Sequence, residues 1–199
     1  NTAYSIDMTN HGSAAASSLM NALRATYDAS IAVGYSPLVS TSIYCGEYSK
    51  QQILWVMAGN YAVSQGEYTG AELRQMMEWL VNVKDNGANP IRHRNYMPVT
   101  SGMEYKVTEY EQGKFRLEEL TINGAPLDDT ATYTVFVAGT DVWIENEVYC
   151  NCPMPENLKA KRTEYAIEGA ESRSCLKDSL AVSKQFPAPS EYLTIVQGE

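Results

Sequence analysis

Apolar residues recur at helical spacing through the first third of the chain. Between Ala14 and Tyr27, the positions Leu19, Leu23 and Tyr27 share one face with Ala16 and Met20 beside them, which predicts an early helix. "SIAVGYSP" follows. Ile31 and Val33 are β-branched while Gly34 and Pro37 punctuate, so a short buried strand ends there in a turn. In "GEYSKQQILWVMAGN", Ser49 is placed to cap a second helix, an apolar run extends through Met57, and Gly59-Asn60 stops it. The strongest signal is "YTGAELRQMMEWLVNVKDNG". Thr69 and Glu72 make a capping box, and Leu73, Met76, Met77, Leu80 and Val81 fall at i, i+3, i+4, i+7 and i+8. A methionine pair suits an adaptable binding surface, but this spacing assigns Met76 and Met77 to the core.

Beyond Met97 the period drops to two. Met103, Tyr105 and Val107 alternate with Glu104, Lys106 and Thr108, the pattern of a strand with one face buried. "EQGK" supplies a turn; Phe115 and Leu117 then hold one phase and Leu120 and Ile122 the other, which predicts a bulge at Glu118-Glu119. "NGAPLDD" is the next connection. Tyr133, Val135 and Val137, with Phe136 between them, read as a strand buried on both faces that completes a meander. Residues 145–173 show no clean period, "SCLKDSLAVSKQF" predicts a short helix, and "EYLTIV" a last strand. The sum is one α/β domain of the α+β type over residues 1–199, a mixed sheet with packed helices. Residues 1–30 form its helical N-terminal part and 145–173 an irregular insertion.

Composition narrows the chemistry. At 199 residues, 44% hydrophobic and 20% charged, the chain has enough apolar mass for a core of its own. The formal net charge is -9 and the basic residues are scattered, so no basic stripe exists to follow a nucleic-acid backbone. No apolar run approaches the roughly 20 residues of a membrane span. The chain begins at Asn1 without a signal-type apolar core, so it is expected to be processed or part of something longer. The cysteines are Cys45, Cys150, Cys152 and Cys175. Two readings stand: one bridge, with Cys152 and Cys175 as the pair closing a loop of about two dozen residues in an oxidising compartment, or free and buried thiols.

His11 and His93 are the only histidines, and neither lies in H-E-x-x-H or a comparable metal grouping. His93, in "IRHRNY", reads as a solvated loop residue before it reads as a ligand contact. No phosphate loop, dinucleotide fingerprint or nucleophile elbow is present, and Ser101 in "VTSGME" reads as a turn serine, not a nucleophile. What remains is an aromatic inventory of 14 Tyr and 3 Trp beside 3 Phe. Rings with a polar handle can stack on a base or sugar, and those in irregular segments, Tyr35, Tyr96 and Trp143, are the better candidates.

Five pieces in order, "CGEYSKQQILWVMAGN", "YTGAELRQMMEWLV", "MPVTSGMEYKV", "LEELTINGAPLDDTATYTVFVAG" and "CLKDSLAVSKQFPAPSEYLTIV", resemble the C-terminal domain of the 5'-nucleotidase and UDP-sugar hydrolase family. The resemblance runs from about Ile31 onward. It implies an α/β unit that clamps the nucleoside part of a nucleotide, with hydrolysis in a separate N-terminal metallophosphoesterase domain that holds two divalent metals and has no counterpart here. It implies a parent enzyme that is extracellular, periplasmic or at the cell surface. By the same resemblance Tyr96, Met97 and Ser101 line one wall of the pocket, Thr140, Asp141 and Trp143 the other, and Tyr35 stands near a loop that in the family carries an arginine.

The expected ligand contacts depart from the family pattern. Gly139 and Thr140 stand where an Asn-aromatic pair is expected, "IENE" replaces a glycine-rich turn, Met97 takes the place of a stacking ring, and "VGYSPLVS" has no arginine. Each stacked ring contributes about 1–3 kcal/mol, so two lost rings weaken base binding by roughly 2–6 kcal/mol unless Tyr96 and Trp143 restore them. A second reading follows, in which the chain is a non-catalytic binding or interaction module that kept the scaffold and changed its ligand.

Overall fold

The computed structural model describes residues 1–35, 38–82, 97–139 and 154–198, with the backbone alone at Tyr35 and Asn82. In chain order the elements are β1 (Thr2–Tyr4), α1 (Ala14–Thr26), β2 (Ile31–Tyr35), β3 (Ile43–Tyr44), α2 (Lys50–Val56), β4 (Ala62–Thr69), α3 (Gly70–Asn82), β5 (Pro98–Ser101), β6 (Glu104–Glu111), β7 (Lys114–Ile122), β8 (Ala125–Pro126), β9 (Thr132–Ala138), α4 (Glu156–Glu164), β10 (Ala166–Glu171), α5 (Ser172–Ser183) and β11 (Leu193–Gln197). The expected α/β class holds, with helices packed on mixed sheets.

The helix starts form as their sequences dictate. Ser13 caps α1 by accepting the Ala16 N–H at 3.3 Å, and Ser49 and Gln52 close a reciprocal capping box on α2. At α3, Glu72 accepts the Thr69 N–H at 2.8 Å and returns its own N–H to the Thr69 hydroxyl at 3.2 Å. Leu73, Met76, Met77, Leu80 and Val81 are all buried, as their spacing predicts.

Five strands form the larger sheet in the order β10-β4-β9-β2-β5, and four form a second sheet in the order β11-β6-β7-β8. β9 lies parallel to β2, so it does not complete a meander with β6, β7 and β8; it crosses into the other sheet, between β4 and β2. That placement explains why Val135, Phe136 and Val137 are 0% exposed: a central strand is covered on both faces. The predicted bulge is present, because Lys106 pairs with Glu119 and Val107 with Leu117, leaving Glu118 extra. The Asn123-Gly124 turn between β7 and β8 has both residues at positive φ, 52° and 77°, as a tight hairpin favours.

Gln65 and Phe136 face α1, where the Tyr27 ring stacks on Phe136 with centroids 4.6 Å apart and the Tyr27 carbonyl accepts from Gln65 Nε2 at 2.9 Å. By strand alternation Gly66 points the other way, and Tyr165, just past α4, lies against it. α3 contacts β4, β5 and β7 and so joins the two sheets. The stretch expected to be irregular carries α4 and β10 in its described part, β10 forming an edge of the larger sheet. Cys175 is a free buried thiol at 2.7 Å from the Tyr27 hydroxyl and Cys45 is free and exposed, in line with the free-thiol reading, while Cys150 and Cys152 lie outside the described residues. No helix among the described residues is long and apolar enough to cross a membrane.

Candidate functional site

Three strand ends meet at one edge of the larger sheet. β2 and β9 run parallel, with Val33 opposite Val137, and both point their carboxyl ends to this edge; β5 starts there, Pro98 opposite Tyr35. A gap outside the carboxyl ends of parallel strands is where open α/β sheets take ligands. Gly139 ends β9 in the left-handed region, φ 81°, its N–H donating to the Ala62 carbonyl at 3.0 Å. A Cβ at that position would stand 3.1 Å from Leu38 Cδ2. Leu38 accepts the Ala58 N–H at 2.7 Å, and Val39 bridges to Met57, so the chain leaving β2 is pinned to the end of α2. The floor beneath is apolar, with Val99 and Met57 at 1% exposure.

Of the residues expected to contact a ligand, the structure brings Tyr35 and Met97 together at this edge and separates Ser101 from them. Met97 is 1% exposed, part of the core and not an open stacking surface. Ser101 lies at the far end of β5, four residues or about 13 Å along the strand from Met97. Its hydroxyl is committed to Asn21 Oδ1 at 2.6 Å, and Asn21 in turn donates to the Ala188 carbonyl at 2.8 Å. Ser101 is therefore a tie between sheet, α1 and the segment after α5. Tyr96, Thr140, Asp141 and Trp143 lie outside the described residues, as does His93.

Sequence reasoning missed Arg173, in the first turn of α5. Its Nη2 donates to the Met57 carbonyl at 2.8 Å, and its backbone N–H to Asn60 Oδ1 at 3.1 Å. Ser172 next to it exchanges hydrogen bonds with Tyr61, one residue before the Ala62 that holds Gly139. Among the described residues no carboxylate pairs with this guanidinium, and its Nε is buried without a hydrogen-bond partner. It is thus a cation at the border of the strand-end site, with donors to spare. Nothing in "ESRSCL" marks it, since its position comes from Tyr61, more than 100 residues earlier.

A second polar cluster stands elsewhere. Lys161 donates to Glu72 at 2.6 Å and lies 5.3 Å from the centre of the Tyr68 ring, and Arg162 is 1% exposed. Burial pushes the Tyr68 hydroxyl up to about 12, with Arg162 acting against the shift. Tyr68 lies six residues, or about 20 Å, along β4 from Ala62, so this cluster holds α4 to the sheet and does not join the strand-end site.

The family model described as the 5'-nucleotidase C-terminal domain matches residues 3–140. Among solved structures, the 5'-nucleotidase precursor of Thermus thermophilus is 18% identical with TM-score 0.64, covering 94% of this chain and 36% of that one. The NAD nucleotidase of Haemophilus influenzae is 12% identical with TM-score 0.69, covering 95% and 34%. The sulfate thiohydrolase of Thermus thermophilus is 16% identical with TM-score 0.59, covering 90% and 31%. The chain therefore spans about a third of the length of these proteins, and the likeness is one of fold. No curated protein matches the chain by sequence.

Proposed function

The chain belongs to the 5'-nucleotidase C-terminal domain family, and from that premise we propose that it is the substrate-recognition half of an exported, nucleotidase-like phosphoesterase. Its task is to hold the nucleoside part of a nucleotide while a separate metallophosphoesterase domain, with two divalent metals, performs the hydrolysis. On this reading the two divalent metals are held by that separate domain.

The observation that carries this reading is the convergence at one edge of the carboxyl ends of β2 and β9 with the start of β5. All three adjoin segments where the resemblance places ligand contacts. Tyr35, Tyr96, Thr140, Asp141 and Trp143 are the proposed contacts, acting by stacking and hydrogen bonding over an apolar floor that includes the buried Met97. Arg173 adds a cation from outside the motif pattern, suited to a phosphate or hydroxyl oxygen.

Calorimetric titration of the chain with nucleosides, nucleotides and UDP-sugars tests the assignment. Heat is expected from at least one of them, and silence from all three classes defeats it. Arg173→Ala is expected to weaken nucleotide binding by about tenfold, worth about 1.4 kcal/mol, and nucleoside binding less. The buried Met97 and the Gly139 end of β9 favour a second reading, a module that kept this scaffold and binds something other than a nucleotide. On that reading Trp143→Ala alters binding of the other partner and leaves nucleotides without effect.

A further inference from the structure

A cleft that shares no residue with the strand-end site lies between the β1–β3 ribbon, the approach to α2 and the end of α5. Its volume is about 550 Å³, within the roughly 300–1,000 Å³ typical of small-molecule sites. Tyr4, Tyr44, Tyr48 and Phe186 line it. Tyr48 and Phe186 meet edge to face with centroids 5.4 Å apart at 72°, and the Tyr48 hydroxyl accepts the Tyr44 N–H at 2.6 Å, so the aromatic corner is fixed in place. Tyr44 keeps 51% of its surface exposed, an apolar face without a cover.

Two opposite charges line the same cleft, Glu47 and Lys184. Among the described residues neither forms an ion pair, with the other or with any third group. Lys184 is set by the end of α5: its backbone is left-handed, φ 61°, and its N–H donates to the Leu180 carbonyl at 3.0 Å. An unpaired carboxylate and an unpaired ammonium at one aromatic-lined opening complement a molecule that carries both charges and a flat apolar group.

We propose that this cleft binds a small aromatic zwitterion, an amino acid with a ring side chain, whose ring packs on the tyrosines while Glu47 takes its ammonium and Lys184 its carboxylate. The inference is independent of nucleotide recognition at the strand ends. Calorimetric titration of the chain with L-tryptophan, tryptamine and indole-3-propionate tests it, since the last two each lack one charge. L-tryptophan is expected to bind at least about tenfold more tightly than either. Glu47→Gln is expected to lower L-tryptophan affinity by about tenfold while leaving indole-3-propionate unchanged, and Lys184→Gln to do so while leaving tryptamine unchanged. Cys45 also lines the cleft. Bound L-tryptophan is therefore expected to slow its alkylation, mapped by peptide mass, and this readout is independent of heat. Absence of both heat and protection overturns the proposal, and so do equal affinities for the three probes or indifference to both substitutions.

Discussion

Gly66→Ala sets a single methyl group against an aromatic ring. A Cβ at position 66 would lie 1.8 Å from Tyr165 Cδ2 and 2.0 Å from its Cγ, whereas carbon atoms rest about 3.5–4.0 Å apart. The ring therefore has to retreat by roughly 2 Å. Its freedom to do so is small. The Tyr165 carbonyl accepts the Gln65 N–H at 3.1 Å, its own N–H is spent on the Lys161 carbonyl at 2.9 Å, and its ring meets Tyr68 edge-on with centroids 6.0 Å apart. Overpacking of this kind costs about 1–3 kcal/mol, and loss of the ring pair about 0.5–1.5 kcal/mol. Alanine recovers about 0.5–1 kcal/mol through the less flexible unfolded chain. A net destabilisation of about 0.5–4 kcal/mol is expected, read as a lower urea midpoint at unchanged slope. Tyr165→Ala removes the obstacle at its own packing cost, so adding Gly66→Ala to it should cost nothing or stabilise slightly. Wild-type stability for Gly66→Ala, or the same loss with and without Tyr165, would refute the reasoning.

The remaining predictions are briefer. Glu72→Ala removes the α3 capping box and the Lys161 contact, and should cost about 1–2 kcal/mol in urea unfolding. Burial pushes the Glu72 carboxyl upward, but hydrogen bonds from Lys161 and Thr69 outweigh it and hold the carboxyl below its ordinary 4.5. Its contribution is therefore present in full above that value and disappears as the pH falls through the folded-state value, so the gap between wild type and variant should close on acidification. In the native protein Cys45 should alkylate quickly and Cys175 only on unfolding, because burial raises the Cys175 thiol against the opposing hydrogen bond from Tyr27; equal rates, by peptide mass, would sink this. Tyr27→Phe keeps the stack on Phe136 and loses the contact to Cys175, and should cost no more than about 1 kcal/mol in thermal unfolding.

Helices with a wide apolar stripe were legible in the sequence, as were hairpins with their own turn chemistry: α3, the β6–β7 pair and the Glu118 bulge follow from local rules. β4 was not. Ser64, Gln65 and Gly66 interrupt its alternation, and Gly66 makes sense only once the Tyr165 ring lies over it. α4 has no apolar stripe; Leu158 and Arg162 alone are buried on it, so packing against β4 and not periodicity makes it a helix. The inward nature of β9 was readable but its neighbours were not, because a parallel partner about 100 residues away leaves no local mark. The same limit applies at the strand ends. Their approach was implied by family resemblance, while the burial of Met97, the commitment of Ser101 to Asn21 and the arrival of Arg173 depend on tertiary contacts.

The second sheet is finished by a strand made long after its neighbours. β11 pairs in parallel with β6 along Leu193 to Gln197, and Tyr192 just before it sends its hydroxyl back to the Ser13 N–H at 3.0 Å. During synthesis β6 and β7 leave the ribosome with one flank open, offering unpaired backbone groups to any other nascent strand. Only the emergence of β11 closes that flank and locks the start of α1 in the same event. Translation that stops short of Leu193 therefore leaves a fragment with a sticky border, a natural substrate for chaperones and proteases.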